Sequence, residues 1–166
     1  MAKFVGSNEF YARAAQLGHS RAEIDSKGHQ ATTVVVQSMQ ELRKLVQPQD
    51  PKAREARQAM LDAVANASAG QELPLEHHVN GYLFGTRELS AEHEAHCAES
   101  FPLTLALVSM GTGTLPPGET LIGPNGNPVV WNYDTLNIPD GSWITTQTTN
   151  FTLNVTRLVM QYTPPS

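Results

Sequence analysis

The chain is 166 residues long, enough for one domain or for a domain with a helical appendage. It has 11 Lys and Arg residues against 16 Asp and Glu residues, and the net charge of −5 argues against a nucleic-acid partner because nucleic-acid-binding surfaces are basic. The single cysteine, Cys97, excludes an intrachain disulfide, and no apolar run is long enough for a transmembrane helix.

The N-terminal residues predict a helix and then a second helix start. Residues 7–17 have helical spacing with Ser7 or Asn8 as a capping residue, and Ser20 and Glu23 form a capping box. A long helix is expected over 24–46, because apolar and small residues are spaced alternately four and three apart, as in a coiled-coil seam. These residues are Ile24, Gly28, Ala31, Val35, Ser38, Leu42 and Leu45.

A strand is the alternative for the middle of this segment. Residues 32–36 are five β-branched residues in a row, which lose side-chain freedom in a helix and favour strand. Gly28 also destabilises a helix interior by about 1 kcal/mol relative to Ala. We favour the helix because the periodicity continues on both sides of the run, and the choice between helix and strand for 31–37 stays open.

The next helix begins after Asp50, with Pro51 at its first position. Its small residues predict close packing against residues 24–46 as an antiparallel helical hairpin. They are Ala53, Ala56, Met60, Ala63 and Ala67. The other face carries Arg54 and Arg57, which are candidate residues for docking an acidic partner; the alternative is a solvated basic face.

Residues 71–102 form a mixed acidic connector with four histidines. His93 and His96 are three apart on an expected helix and share a face, so they are candidate ligands for zinc or another divalent ion. His77 or His78 would supply a third ligand from the preceding segment. The spacing differs from the His-Glu-x-x-His motif of zinc proteases, and ordinary surface histidines are the alternative.

The region from 103 to 166 predicts strands with bends. Trp131 and Tyr133 alternate along one strand, but the next apolar pair, Leu136 and Ile138, is out of phase with them. The last strand repeats this pattern, because its apolar residues lie on one face up to Val155 and on the other face from Leu158 onward. Its apolar residues are Phe151, Leu153, Val155, Leu158, Met160 and Tyr162. A strand that keeps its core contacts across such a phase change must bend or carry a bulge.

The charged residues from 103 onward are Glu119, Asp134, Asp140 and Arg157. A surface with so few charges suggests that neighbouring subunits or a polar, uncharged ligand cover the sheets, since free domains usually keep charges outside. The Thr-rich segment 142–149 supplies the candidate binding residues Trp143, Thr145 and Gln147. A plain solvated Thr-rich sheet is the alternative.

The predicted fold is α+β: a helical region at 1–70, the connector at 71–102, and an antiparallel β-sandwich or jelly-roll-like region at 103–166. The predicted function is a non-enzymatic assembly or binding protein, an oligomeric structural subunit of a virion, a toxin or injection apparatus, or an adhesin-like module. The alternatives are a small metal-dependent enzyme that uses the four histidines and a membrane-active toxin subunit. Residues 1–6 lack the apolar core of a signal peptide, so we expect a cytoplasmic protein when synthesised, with later release or assembly into a particle left open.

Overall fold

The computed structural model describes residues 6–123, 126–148 and 151–161. The elements are α1 (Asn8–Gln16), α2 (Arg21–Lys27), β1 (His29–Val36), α3 (Met39–Val46), α4 (Pro51–Ala67), α5 (Leu75–Phe84), α6 (Ala91–Ala98), β2 (Leu103–Thr114), β3 (Gly118–Ile122), β4 (Val129–Ile138), β5 (Ser142–Thr146) and β6 (Phe151–Met160). They belong to two compact units: residues up to 35 together with those from 103 onward, and residues 36–102.

The prediction of a long N-terminal helical hairpin followed by an antiparallel β-sandwich or jelly roll is wrong. Residues 24–46 divide among the end of α2, the strand β1 and the helix α3. Gly28 ends α2 in a left-handed conformation (φ 81°) and its N–H donates to the carbonyl of Ile24 at 2.7 Å. The β-branched run then forms β1, so the strand propensity of these residues outweighed the helical periodicity on either side.

The C-terminal strands alternate between two sheets. Sheet A has the order β1-β2-β4-β6, and sheet B consists of β3 and β5. The strands β2, β4 and β6 are parallel neighbours in sheet A, and β3 is parallel to β5 in sheet B. The chain therefore winds from sheet A to sheet B and back, which makes β2–β6 a short parallel β-solenoid.

The pairing register gives the length of one circuit of the solenoid. Val129 of β4 pairs with Ala106 of β2 and with Phe151 of β6, at sequence separations of 23 and 22 residues. In sheet B, Gly118 pairs with Ser142, at a separation of 24 residues. Equivalent residues of successive circuits therefore lie side by side, one strand apart.

An apolar cluster fills the interior of the solenoid between the two sheets. Its buried members are Leu115, Tyr133 and Leu136, and the partly buried residues packed against them are Met110, Trp131, Ile138, Ile144 and Val155. Residues from both sides of the phase change in β4 thus reach the same interior, which confirms that β4 keeps its core contacts across the change. The rings of Trp131 and Phe151, both half-buried, meet edge to face across β4 and β6 with centroids 5.4 Å apart.

Gly113 of β2 leaves room for the Tyr133 ring in this interior. A Cβ at position 113 would overlap Cε1 of the ring and lie 3.0 Å from Cδ1. We expect Gly113→Ala to lower the free energy of unfolding by about 1–3 kcal/mol, because the buried ring must leave its position. Urea denaturation checks this, with Thr112→Ala at the exposed neighbouring position as the control. Equal small losses in both variants would contradict the close packing.

The other face of sheet A packs against α1 and α2. The buried apolar residues Phe10, Ala14 and Ile24 form a cluster there. Both helices have serine caps: the hydroxyl of Ser7 accepts from the N–H of Phe10 at 3.2 Å, and the hydroxyl of Ser20 accepts from the N–H of Glu23 at 3.4 Å. The capping box is only half formed, because the N–H of Ser20 donates to Oε1 of Gln30 at 2.7 Å. Sheet A is therefore covered on one face by helices and on the other by sheet B.

The second unit contains the helices α3–α6. As predicted, Asp50 caps α4 by accepting from the N–H of Lys52 at 3.0 Å, and Pro51 is the first helical residue. Helix α5 contacts both α3 and α4. The guanidinium of Arg43 lies over the ring of Tyr82, 4.3 Å from its centroid. These contacts hold α3, α4 and α5 together.

The small-residue stripe of α4 does not form the predicted hairpin interface. Its residues Ala53, Ala56, Met60, Ala63 and Ala67 are not buried. The helix buries Gln58 instead. The prediction was wrong because the long partner helix that it required is interrupted by β1.

Candidate functional site

The structure brings three of the four candidate metal ligands close together. The rings of His78 and His93 stack with centroids 4.3 Å apart, and those of His77 and His78 are 5.9 Å apart. His96 is exposed on α6. Within residues 6–123, 126–148 and 151–161, no three His, Cys, Asp or Glu side chains are arranged as a potential metal site. The ring contacts therefore do not amount to a ligand set.

The environment of His78 favours its neutral form. Burial lowers the pKa of His78, and the nearby His93 and His77 lower it further, while the carboxylate of Glu72 acts in the opposite direction. A neutral imidazole packs against another ring without charge repulsion. The histidines thus have an adequate structural role in joining α5 to α6.

A cavity of about 230 Å³ lies beside these histidines. Its lining includes His77, His78, Asp62 and Arg87. Nη2 of Arg87 lies 3.7 Å from Oδ1 of Asp62, and Nε2 of Gln58 donates to the same oxygen at 2.9 Å. Because Asp62 and Arg87 pair with each other, the cavity by itself does not indicate a ligand class.

The candidate binding residues of the Thr-rich segment lie on and beside β5. Trp143 is 55% exposed and Thr145 is half-buried, and their spacing of two places them on the same face of sheet B. Gln147 follows the strand, is exposed, and donates its N–H to the carbonyl of Ile122 at 2.9 Å. Leu121, which pairs with Thr145, extends this exposed face.

The two candidate arginines belong to α4 in the other unit. Arg54 is half-buried, and its Nη1 donates to the carbonyls of Pro48 and Gln49 at 2.7 and 3.2 Å. Its guanidinium is therefore engaged in holding the chain that leads into α4. Arg57 is exposed.

A buried polar row crosses sheet A under α1, and no local spacing in the sequence indicates it. Nδ1 of His19 lies 2.7 Å from the hydroxyl of Ser109, and Nε2 of His19 lies 2.8 Å from the hydroxyl of Thr32. Nδ2 of Asn132 donates to the hydroxyl of Ser109 at 3.1 Å. A serine beside a histidine resembles a nucleophile and its base, but Ser109 has no exposed surface, so a substrate cannot reach it. We assign the row to structure.

The end of the solenoid at β6 exposes residues that elsewhere fill its interior. Leu153, Val155, Leu158 and Met160 pair with the interior residues of β4, and we call these four residues the apolar row of β6. Their partners in β4 are, in the same order, Trp131, Tyr133, Leu136 and Ile138. Leu153, Leu158 and Met160 are 38%, 51% and 68% exposed, whereas Leu136 is fully buried.

The apolar row is exposed because β6 lies at the edge of sheet A. Among the described residues, no further strand pairs with β6 or continues sheet B beneath it. A strand at the edge of a sheet can pair with another strand through its outward backbone N–H and C=O groups. The edge and the apolar row together make this end of the solenoid the candidate functional site.

A repeat in the sequence could have revealed the solenoid. The segments 115–118 (Leu-Pro-Pro-Gly) and 138–141 (Ile-Pro-Asp-Gly) are similar and lie 23 residues apart. In the structure, the N–H of Gly118 donates to the carbonyl of Gly141 at 2.9 Å, so the two turns stack. A recurrence with a period of 20–50 residues is the usual signature of solenoids.

Comparisons with known proteins add no further constraint on this site. The chain matches no protein-family model, no curated protein and no solved structure with which it was compared. In the part of the chain that the structure describes, no helix combines the length and the hydropathy needed to cross a membrane. The function is therefore inferred from the geometry of the solenoid end.

Proposed function

We propose that this chain is a non-enzymatic structural subunit that joins a larger protein assembly through the end of its β-solenoid. The observation that carries the proposal is the exposed apolar row of β6, together with the position of that strand at the edge of sheet A. Large apolar side chains grouped on an exposed surface usually mark a protein interface. An edge strand gives the partner a main-chain pairing site as well.

The low charge of the solenoid supports the same proposal. The strand β6 carries one charged residue, Arg157, over Phe151–Met160. Natural proteins usually protect edge strands from pairing with charges, prolines or bulges. A long edge strand with a single charge beside exposed leucine and methionine side chains is therefore suited to being covered by another chain.

The alternatives have less support. The metal-dependent enzyme would need a ligand set, and the histidines of α5 and α6 do not form one among the described residues. The membrane-active toxin subunit rests on the sequence alone. The assembly proposal leaves the type of particle open: virion, toxin or injection apparatus, or adhesin-like module.

We expect the protein to associate at tens of micromolar and the Met160→Asp variant to associate at least about tenfold more weakly, because a charge in an apolar contact must be desolvated. Sedimentation velocity over a concentration series measures this. Met60→Asp is the matched control, because Met60 on α4 is a methionine of similar exposure, 63% against 68%.

The results decide between three outcomes. Weaker association of Met160→Asp with normal association of Met60→Asp supports the proposal. The reverse pattern would place the interface on α4 and overturn it. A parent protein that stays monomeric near 18.1 kDa throughout the series would overturn it as well.

A further inference from the structure

The apolar row of β6 is symmetric about the middle of the strand. Leu153 lies three residues before Thr156, and Met160 lies three residues after Arg157. Val155 directly precedes Thr156, and Leu158 directly follows Arg157. The phase change falls at this centre, so the apolar positions have the same spacing in both directions along the strand. Such a surface can pair with a copy of itself.

We propose that the partner at the solenoid end is a second copy of this chain, paired edge to edge and antiparallel through β6, with the twofold axis between Thr156 and Arg157. This inference rests on the proposed function and names the partner. A twofold contact uses the same surface on both copies, and two identical edge strands related by an axis normal to the sheet run antiparallel. Leu153 then lies opposite Met160 of the second copy, and Val155 lies opposite Leu158.

Antiparallel pairing at this register gives the exposed side chains neighbours of their own kind. Residues directly opposite each other in an antiparallel pair have Cβ atoms about 5 Å apart and pack on the same face of the sheet. Leu153 and Met160, both exposed in the single chain, would form two such pairs across the axis. A shift by one residue in either direction would place Leu158 and Met160 opposite polar residues.

The other end of sheet A does not offer an equivalent surface, which argues against head-to-tail stacking. The edge of β2 at that end is already paired with β1. The exposed residues of β1 are His29, Ala31, Thr33 and Val35. A copy stacked head to tail would therefore place the apolar row of β6 against a strand with one large exposed apolar side chain, Val35, whereas a twofold contact places the row against itself.

Arg157 gives this arrangement a distinctive electrostatic property. It is exposed and lies next to the proposed axis, so the two Arg157 residues of a dimer have Cα atoms roughly 6 Å apart, from a strand separation of about 4.8 Å and a rise of about 3.4 Å per residue. Like charges at this distance repel each other, and salt screens the repulsion. The twofold dimer should therefore be weakened by Arg157 and strengthened by added salt.

The test mixes the parent protein with an Arg157→Glu variant of distinguishable mass. In a twofold dimer the mixed species brings Arg157 of the parent chain next to the glutamate introduced in the variant chain. We therefore expect native mass spectrometry of an equimolar mixture to show mixed dimers well above the statistical half. Arg157→Thr, which copies the Thr135 neighbour in β4, should dimerise several-fold more tightly than the parent protein. Arg57→Glu on α4 is the control and should mix statistically.

Cysteine cross-linking tests the register independently. In a Cys97→Ser background, Thr156→Cys should form disulfide-linked dimers on oxidation, because a Cα separation of roughly 6 Å suits a disulfide. Met160→Cys should not link to itself, since its copies would lie more than about 20 Å apart along the strands. It should link to Leu153→Cys when the two variants are mixed.

The outcomes separate this inference from the proposed function. If the protein associates and Met160→Asp weakens the association, but the Arg157→Glu mixture is statistical and Thr156→Cys does not self-link, the assembly proposal stands and the twofold pairing is overturned. If the parent protein remains monomeric, the proposed function itself fails. Preferred mixed dimers with the expected cross-links support the twofold dimer.

Discussion

Replacing Leu136 with Ala is expected to lower the free energy of unfolding by about 2–5 kcal/mol, whereas Leu158→Ala should change it by less than about 1 kcal/mol. The two leucines pair in register on neighbouring strands and occupy equivalent positions of successive circuits. Leu136 is fully buried between the sheets, and Leu158 is 51% exposed. The difference between the two losses therefore tests whether the interior of the solenoid is covered at β4 and uncovered at β6.

Urea denaturation at low micromolar concentration checks this prediction, because self-association through β6 would otherwise add to the stability of the parent protein. The same variants measured at high concentration give a second comparison. There, Leu158→Ala should lose the stability that association supplies, and Leu136→Ala should show its large loss at both concentrations. Similar losses for the two variants in dilute solution would contradict the open solenoid end.

Stability is expected to fall on acidification through His19. This residue is 4% exposed, both ring nitrogens have hydroxyl partners, and burial lowers its pKa. The unfolded chain, in which the pKa is about 6.5, therefore binds a proton first as the pH falls. The contribution of His19 is fully present above about pH 6.5. It declines by up to about 1.4 kcal/mol per pH unit below that value, until the pH reaches the folded-state pKa.

His19→Gln isolates this effect, because the other histidines are present in both proteins. The variant should be less stable than the parent by about 1–3 kcal/mol at pH 8, since it keeps the packing only in part and loses a hydrogen bond to Ser109 or Thr32. The difference should shrink as the pH falls from 7 to 5, because only the parent protein gains the proton on unfolding. A difference that stays constant over this range would show that His19 does not titrate between the two states.

Three of the helix starts and the phase change in β4 could be predicted from neighbouring residues alone. Ser7, Ser20 and Asp50 cap helices as predicted, because a capping hydrogen bond involves residues only two or three positions apart. The phase change between Tyr133 and Leu136 also follows from local pattern, since alternation along one strand records which face is buried.

The pairing of the strands could not be predicted in this way. Parallel and antiparallel strands share the same alternation, so the apolar pattern around Trp131 fits both, and the sandwich was the wrong choice between them. Residues 29–36 show a related limit. Their β-branched side chains favour a strand, whereas the periodicity around them favours a helix. In the structure they form a strand that pairs with β2.

For the candidate site, too, the sequence predicts the residue types and the tertiary structure decides their exposure. The sequence shows Leu158 and Met160 as apolar strand residues, but their exposure depends on which strands cover them, and that is a property of the sheet order. Likewise, the row from His19 through Ser109 to Asn132 joins residues far apart in the chain, so no local spacing records it. Local hydrogen bonds and side-chain alternation depend on residues that are close in sequence. Burial is decided only when distant segments of the chain pack together.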